Sequence, residues 1–287
     1  IMESIVNVQI KRQFEYIGGF IRVKLKIINS SNMVITNLRF RFELPQSFKL
    51  MRIEPSYKRE GLTILLDNIP PQVEKTVAIL LEPLICGKEK LYGSLQFLDA
   101  TGKPEVVNMN PLEVSVVCPL FFTEEEANQA RLRKLFDYKL TKKDERCYDL
   151  PKNFNPSEIF QILKKVVQKH HIKFVSENIT DAPTFEAEAW YFGKTKIYQK
   201  DFVIIGSVSQ SNHCVKLLVA CEMEEQLTGF LSEVGADLRR SIIRTGIIKS
   251  DAEFLELRCP KCSGPLPKIP DSGESIKCDW CDTVLLL

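Results

Sequence analysis

Cys259 and Cys262, and again Cys278 and Cys281, form two C-x2-C knuckles with fifteen residues between them. Four thiolates at that spacing close a tetrahedral shell around Zn²⁺, and the intervening loop has the length of a zinc ribbon. All four positions are filled by protein, which leaves no place for a reactive water, so one structural ion is expected rather than a catalytic one. Iron is the other ion that four thiolates accept. The apolar runs at residues 254–257 and 284–287 are expected to supply the small sheet of the ribbon. A module this short cannot hold together by apolar burial alone; ion binding is also what folds it. Lys261, Lys268, Lys277 and Trp280 are offset by Asp271, Glu274, Asp279 and Asp282. The ribbon is therefore not a basic surface, and partner binding or capping of the chain end is expected of it before nucleic acid.

No nucleophile elbow, phosphate loop, dinucleotide fingerprint or H-E-x-x-H motif occurs in the chain, and no enzymatic activity is expected. His170-His171 and His213-Cys214 stand at no metal-ligand spacing with a carboxylate. Trp190-Tyr191-Phe192 with Tyr198 is the densest aromatic cluster. Alternate strand residues face opposite sides, so one of Trp190 and Tyr191 packs inward and the other is a candidate partner contact. Arg239, Arg240, Arg244 and Lys249 gather at the end of a helix, where cations suit the dipole. The three arginines are also candidates for a phosphate or lipid headgroup.

The elements that position these residues are readable over residues 155–244. Asn155, Pro156 and Glu158 make a boxed helix start, followed by Ile159, Leu163, Val166 or Val167 and His170 at helical spacing. Four strand-like runs follow at 172–179, 185–192, 201–208 and 215–222. A closing helix then lays Leu227, Phe230, Leu231, Val234, Leu238 and Ile242 on one stripe. Two amphipathic helices on a half-buried four-strand sheet predict a two-layer α+β module.

Upstream, residues 21–27 and 38–44 alternate apolar with Arg, Lys or Glu, and further short runs stand at 62–66, 75–81, 91–97 and 112–117. Seven or eight short strands in about 110 residues predict an immunoglobulin-like sandwich. Cys86 and Cys118 lie in no Cys-Trp-Cys pattern and are expected as small buried hydrophobes. After the joint at residues 119–122, Thr123 to Glu126 reads as a capping box opening a helix to about Phe136. The charged stretch 137–150 reads as a solvated connector, with a short strand at 137–140. The joint is so short that the two modules are expected to dock rather than swing freely.

Composition sets outer bounds. In 287 residues, 44% hydrophobic and 26% charged, the chain reads as folded, with room for two domains and an appendix. A formal charge of +2 gives no global pull toward nucleic acid or membrane. No apolar run reaches the roughly 20 residues of a membrane-spanning helix. The ribbon needs thiolates, so a reducing, cytoplasmic location is expected despite nine cysteines. The boundaries read as sandwich 1–119, α+β module 120–246 and ribbon 252–287.

This order of parts resembles the appendage, or ear, domain of clathrin-adaptor and coatomer large subunits, with a zinc ribbon added. Pro119-Leu120-Phe121-Phe122-Thr123-Glu124 opening a helix, and residues 202–222 as paired strands before the last helix, carry the resemblance. It implies an immunoglobulin-like sandwich joined to an α+β platform. It also implies a non-catalytic module that recruits protein partners or short peptide motifs, with peripheral membrane or coat association in vesicle trafficking. The family's peptide clamp centres on an aromatic residue in the first platform helix; Leu132 or Arg131 stands there in this chain, so its particular motif does not carry over. The chain would be a free-standing version, fitting a simple, archaeal-like precursor of coat machinery. A nucleic-acid-associated ribbon factor is the alternative.

Overall fold

Side-chain alternation of period two governs the first unit, and a switch to helical spacing governs much of the second. A computed structural model describes residues 7–55, 57–249, 259, 261, 275–278 and 281–286. The chain divides into two units, Ile1–Tyr16 with Phe20–Val116, and Ile17–Gly19 with Val117–Leu287.

The first unit contains β1 (Val8–Ile17), β2 (Phe20–Asn29), β3 (Thr36–Glu43), β4 (Phe48–Glu54), β5 (Arg59–Glu60), β6 (Thr63–Leu66), β7 (Val73–Pro83), β8 (Gly87–Leu98), β9 (Pro104–Asn108) and β10 (Leu112–Val116). They form two antiparallel sheets, ordered β1-β2-β7-β4 and β10-β8-β3-β6-β5, with β9 also on β8. Val23 and Leu25 stand opposite Ile79 and Val77 on the inner side of one sheet. Leu38 and Phe40 stand opposite Leu66 and Ile64 in the other. These side chains share one core with Leu95, Phe97 and Val114, so the unit is a β-sandwich. The turn after β2 is fastened by the buried Asn29. Its amide donates to the carbonyls of Met33, Ile69 and Pro70, and its oxygen accepts from Ser31. An interior Asn is tolerated here because every polar atom finds a partner.

The second unit opens on an extended stretch, then α1 (Gln129–Lys134), which continues as a π-helical turn at Leu135–Lys139. β11 (Lys142–Asp149), α2 (Pro156–Gln168), β12 (Lys173–Thr180), β13 (Glu186–Lys194), β14 (Asp201–Ser209), β15 (Cys214–Cys221) and α3 (Glu224–Arg244) follow. The five strands make one antiparallel sheet ordered β11-β15-β14-β13-β12. α2 starts as expected, with the Asn155 side chain accepting from the Glu158 amide at 3.2 Å. Tyr191, Ile204, Val219, Leu217 and Tyr148 project from one sheet face into a core with Ile159, Leu163, Leu227, Phe230, Val234 and Leu238 of α2 and α3. Each such apolar side chain, once fully buried, stabilises by about 1.5–3 kcal/mol. The opposite face presents Phe192, Val203, Ile205 and Ala220 to Leu132, Leu135 and Leu140.

Three expectations change here. The sheet has five strands, not four, and both faces are covered, so it is not half-buried. Residues 137–139 form part of the π turn with Leu140 as its extended cap, and the charged stretch becomes β11 rather than a solvated connector. Its Arg146, Cys147 and Tyr148 are buried despite the polar flanks. Arg146 is accommodated because it donates to the Leu231 carbonyl at 3.1 Å and lies over the Tyr148 ring. Helix α1 is capped by Asn128, which accepts from the Arg131 amide. The Thr123 hydroxyl instead accepts from the Lys194 amide at 3.0 Å, because the joint is bound as an extended segment against β13.

Candidate metal centre and exposed surfaces

The described part of the knuckle region holds β16 (Ser275–Lys277) and β17 (Val284–Leu286), paired antiparallel. Between them the chain turns: the Asp282 amide donates to the Cys278 carbonyl and the Cys278 amide to the Thr283 carbonyl, both at 2.9 Å. Asp282 takes a left-handed φ of 56° to allow it. The turn aims Cys278 and Cys281 toward Cys259, and the sulfurs of all three lie within 4.8 Å of one another. Cys259 and Cys281 Sγ are 3.7 Å apart. That is far beyond a disulfide bond, and it matches the edge of about 3.8 Å that a tetrahedron with 2.3 Å metal–sulfur bonds requires. The Thr283 hydroxyl lies 3.1 Å from Cys281 Sγ, an outer contact that a thiolate accepts. By donor type and spacing the three cysteines fit a thiolate-bound metal. Cys262, Trp280, the strand expected at 254–257, and Lys268, Asp271, Glu274 and Asp279 lie outside the described residues.

The expected partner residues are placed differently from one another. Tyr191 is completely buried under α2 and α3, which removes it from any surface a partner touches. Trp190 is half-buried on the other face, edge-on to Phe136 at 6.0 Å, with its indole N–H on Glu188 at 2.6 Å. Leu132 is buried against this same face, while Arg131 pairs with Glu125 and lies over the Phe192 ring. Arg240 is exposed and engaged by Asp237, Arg244 is exposed, and Arg239 is half-buried. In the knuckle region Lys277 pairs with Asp282 at 2.8 Å. Burial pushes the Cys221 thiol up to about 12, which keeps it protonated and inert at neutral pH.

Cys86 and Cys118 are disulfide-bonded, which corrects their expected role as reduced hydrophobes. Spacing along the chain does not reveal whether a cysteine is oxidised.

One surface escaped sequence reasoning. Phe121 pairs with Thr195, the Phe122 amide donates to the Lys194 carbonyl at 2.9 Å, and the Lys196 amide donates to the Leu120 carbonyl at 2.7 Å. Phe121 points into the core against Phe202 and Phe230. Its neighbours, pleated to the other side, are left outward. Leu120 and Phe122, and Ile197 and Tyr198 in the adjoining turn, are each more than half exposed. Lys194 and Lys200 nearby pair with Glu125 and Glu222. Lys196 is exposed and makes no ion pair among the described residues. The signal was present as Leu120-Phe121-Phe122, but which of three adjacent apolar residues faces inward depends on a pairing 74 residues away.

On the sandwich, a cleft of about 320 Å³ is lined by Lys11, Arg12, Lys24, Lys26 and Glu74. Its cations are largely engaged: Lys24 with Glu15, Lys26 with Glu74, and Arg12 with the Asn110 and Pro111 carbonyls. Among the described residues no helix is long and apolar enough to cross a membrane.

No protein-family model matches the chain, and no curated protein matches it in sequence. Among solved structures, the GAE domain of GGA2p from Saccharomyces cerevisiae is similar, at 15% identity and a TM-score of 0.31, over 41% of this chain and 96% of that one. The cupredoxin domain of amoB from Nitrosocaldus yellowstonii matches at 12% identity and a TM-score of 0.25, over 40% of this chain and 90% of that one. An inactive mutant of a GH20 exo β-N-acetylglucosaminidase from Vibrio harveyi matches at 10% identity and a TM-score of 0.27, over 76% of this chain and 40% of that one.

Proposed function

We propose that the chain is a non-catalytic protein-interaction module of the appendage kind. In this reading an immunoglobulin-like sandwich is followed by an α+β platform that recruits partner proteins to a vesicle-coat-like assembly. A C-terminal ribbon holds one structural Zn²⁺ on Cys259, Cys262, Cys278 and Cys281. The observation that carries the reading is the apolar patch of Leu120, Phe122, Ile197 and Tyr198. Scattered exposed hydrophobes need no explanation, but four gathered on a pinned segment and the turn it pairs with mark an interaction site. Phe121 anchors the segment from beneath, so the patch is presented on a firm base and little ordering is needed on binding.

The occupant is a short peptide of a partner protein that carries apolar or aromatic side chains and a carboxylate, the latter complementary to Lys196. The test is selection of a random peptide library against the full chain. The selected consensus is then measured by fluorescence anisotropy against the parent and against Phe122→Ser and Tyr198→Ala. An apolar, acidic consensus whose Kd rises about tenfold or more in both variants supports the reading, that being the effect of losing a central anchor. Absence of any consensus, or a consensus indifferent to both substitutions, overturns it. So does saturable binding of an oligonucleotide that collapses between low and moderate salt, which would favour the nucleic-acid alternative.

A further inference from the structure

Two cysteines outside the knuckles lie against them. Cys147 on β11 and Cys214 on β15 are both buried, and they share one packed cluster with Cys259, Cys278 and Cys281. In register, Cys147 stands opposite Lys216 and Cys214 opposite Asp149, so both sulfurs project from the same side of the two strands. Tyr148 between them points to the other side, into the core under α3. The sulfurs of Cys147 and Cys214 are not part of the set of three that lies within 4.8 Å, so the pair packs beside the candidate ligands without joining them.

We infer that Cys147 and Cys214 are the seat of the metal module: the knuckles close on this end of the sheet only when the ion is bound, and removal of the ion uncovers both thiols. The inference rests on the metal reading above. The physical ground is that a pair of knuckles with a two-stranded sheet buries too little apolar surface to keep its own shape, so ion loss unfolds it. The cysteines of β11 and β15 that pack against that module lose this cover at the same moment. The β11 and β15 strands themselves persist, because their other face belongs to the large core. The metal thereby becomes a switch on the exposure of two thiols.

The experiment is timed alkylation of the native full chain with iodoacetamide, read by peptide mass spectrometry. It compares protein as purified, protein treated with a chelator, and Cys278→Ser. Metal content is measured on each sample by native mass spectrometry. Cys221, buried in the core on the opposite face, serves as the internal control. The expected result is that Cys147 and Cys214 resist alkylation in the loaded chain and react about tenfold faster or more after chelation and in Cys278→Ser, as for a local opening, while Cys221 stays protected in all three. Equal protection with and without metal overturns the inference. Ready alkylation of Cys147 and Cys214 in the loaded protein overturns it as well, and so does exposure of Cys221 in step with them, which would mean global unfolding. A chain that binds no metal at all removes the metal reading and this inference with it. A chain that binds metal and shows any of the other three outcomes removes this inference alone.

Discussion

Asp237 is a point where several charges converge. Its carboxylate accepts from Lys169 at 3.3 Å and from Arg240, and His170 Nε2 lies 3.3 Å away. Burial pushes its carboxyl up, and the hydrogen bonds and charges of Arg240 and Lys169 more than reverse this, leaving it below the ordinary value of 3.8. A carboxyl depressed in the folded state contributes stability that is whole above its unfolded value and is lost as pH falls through its folded one. Asp237→Asn is therefore expected to destabilise at pH 7 by up to about 1 kcal/mol, since the cations are partly solvated. The gap from the parent should begin to narrow only as pH falls below 3.8 and close once the folded value is passed, checked by urea melts at pH 7 and at the acid end. A gap that persists at low pH would assign the effect to packing instead. At this scale the sequence is legible where one residue carries its own local logic. Asn155 caps α2, and the C-x2-C spacing brings Cys278 and Cys281 to Cys259. It is opaque where a role is set from afar: nothing around Arg146 announces the Leu231 carbonyl that lets a guanidinium be buried.

Among the elements, α3 shows how closely the second unit is packed. A methyl group added at Gly229 would stand 2.1 Å from the Val117 carbonyl oxygen, and one at Gly206 would stand 2.9 Å from the tip of the Leu163 side chain. Backbone cannot rotate away, whereas a leucine tip can adjust. Gly229→Ala should thus destabilise by about 3 kcal/mol or more despite alanine's better helix propensity, and Gly206→Ala by about 1 kcal/mol. Paired denaturant melts check the order, and equal costs would mean that the helix slides to relieve the contact. The strand and helix runs of residues 155–244 were readable to within a residue or two, because both periods are sustained and well capped. β11 was not, because an edge strand with Lys, Asp, Glu and Arg on it has the composition of a connector. The cover on the second sheet face was missed for a different reason: a helix was expected up to about Phe136, but α1 and the π turn are too short for their period to show which face they bury.

For the whole molecule, the two large cores contain none of the described knuckle cysteines. Chelation is accordingly expected to leave the main thermal transition within about 3 °C of its starting point, while the signal of the small β16–β17 sheet is lost. Scanning calorimetry with and without chelator checks this, and a collapse of the main transition would make the ion a keystone of the entire chain. The Phe121 anchor bears on how the protein can be dissected. Its ring lies edge-on to Phe202 and Phe230 at 5.0 and 5.4 Å, so the residues that look like a tether are interior material of the second unit. A fragment beginning at Glu124 would carry an aromatic-lined hole at its centre and a bare strand edge along Lys194–Lys196, and would be prone to stick to itself. One beginning at Val117 would bring its own plug.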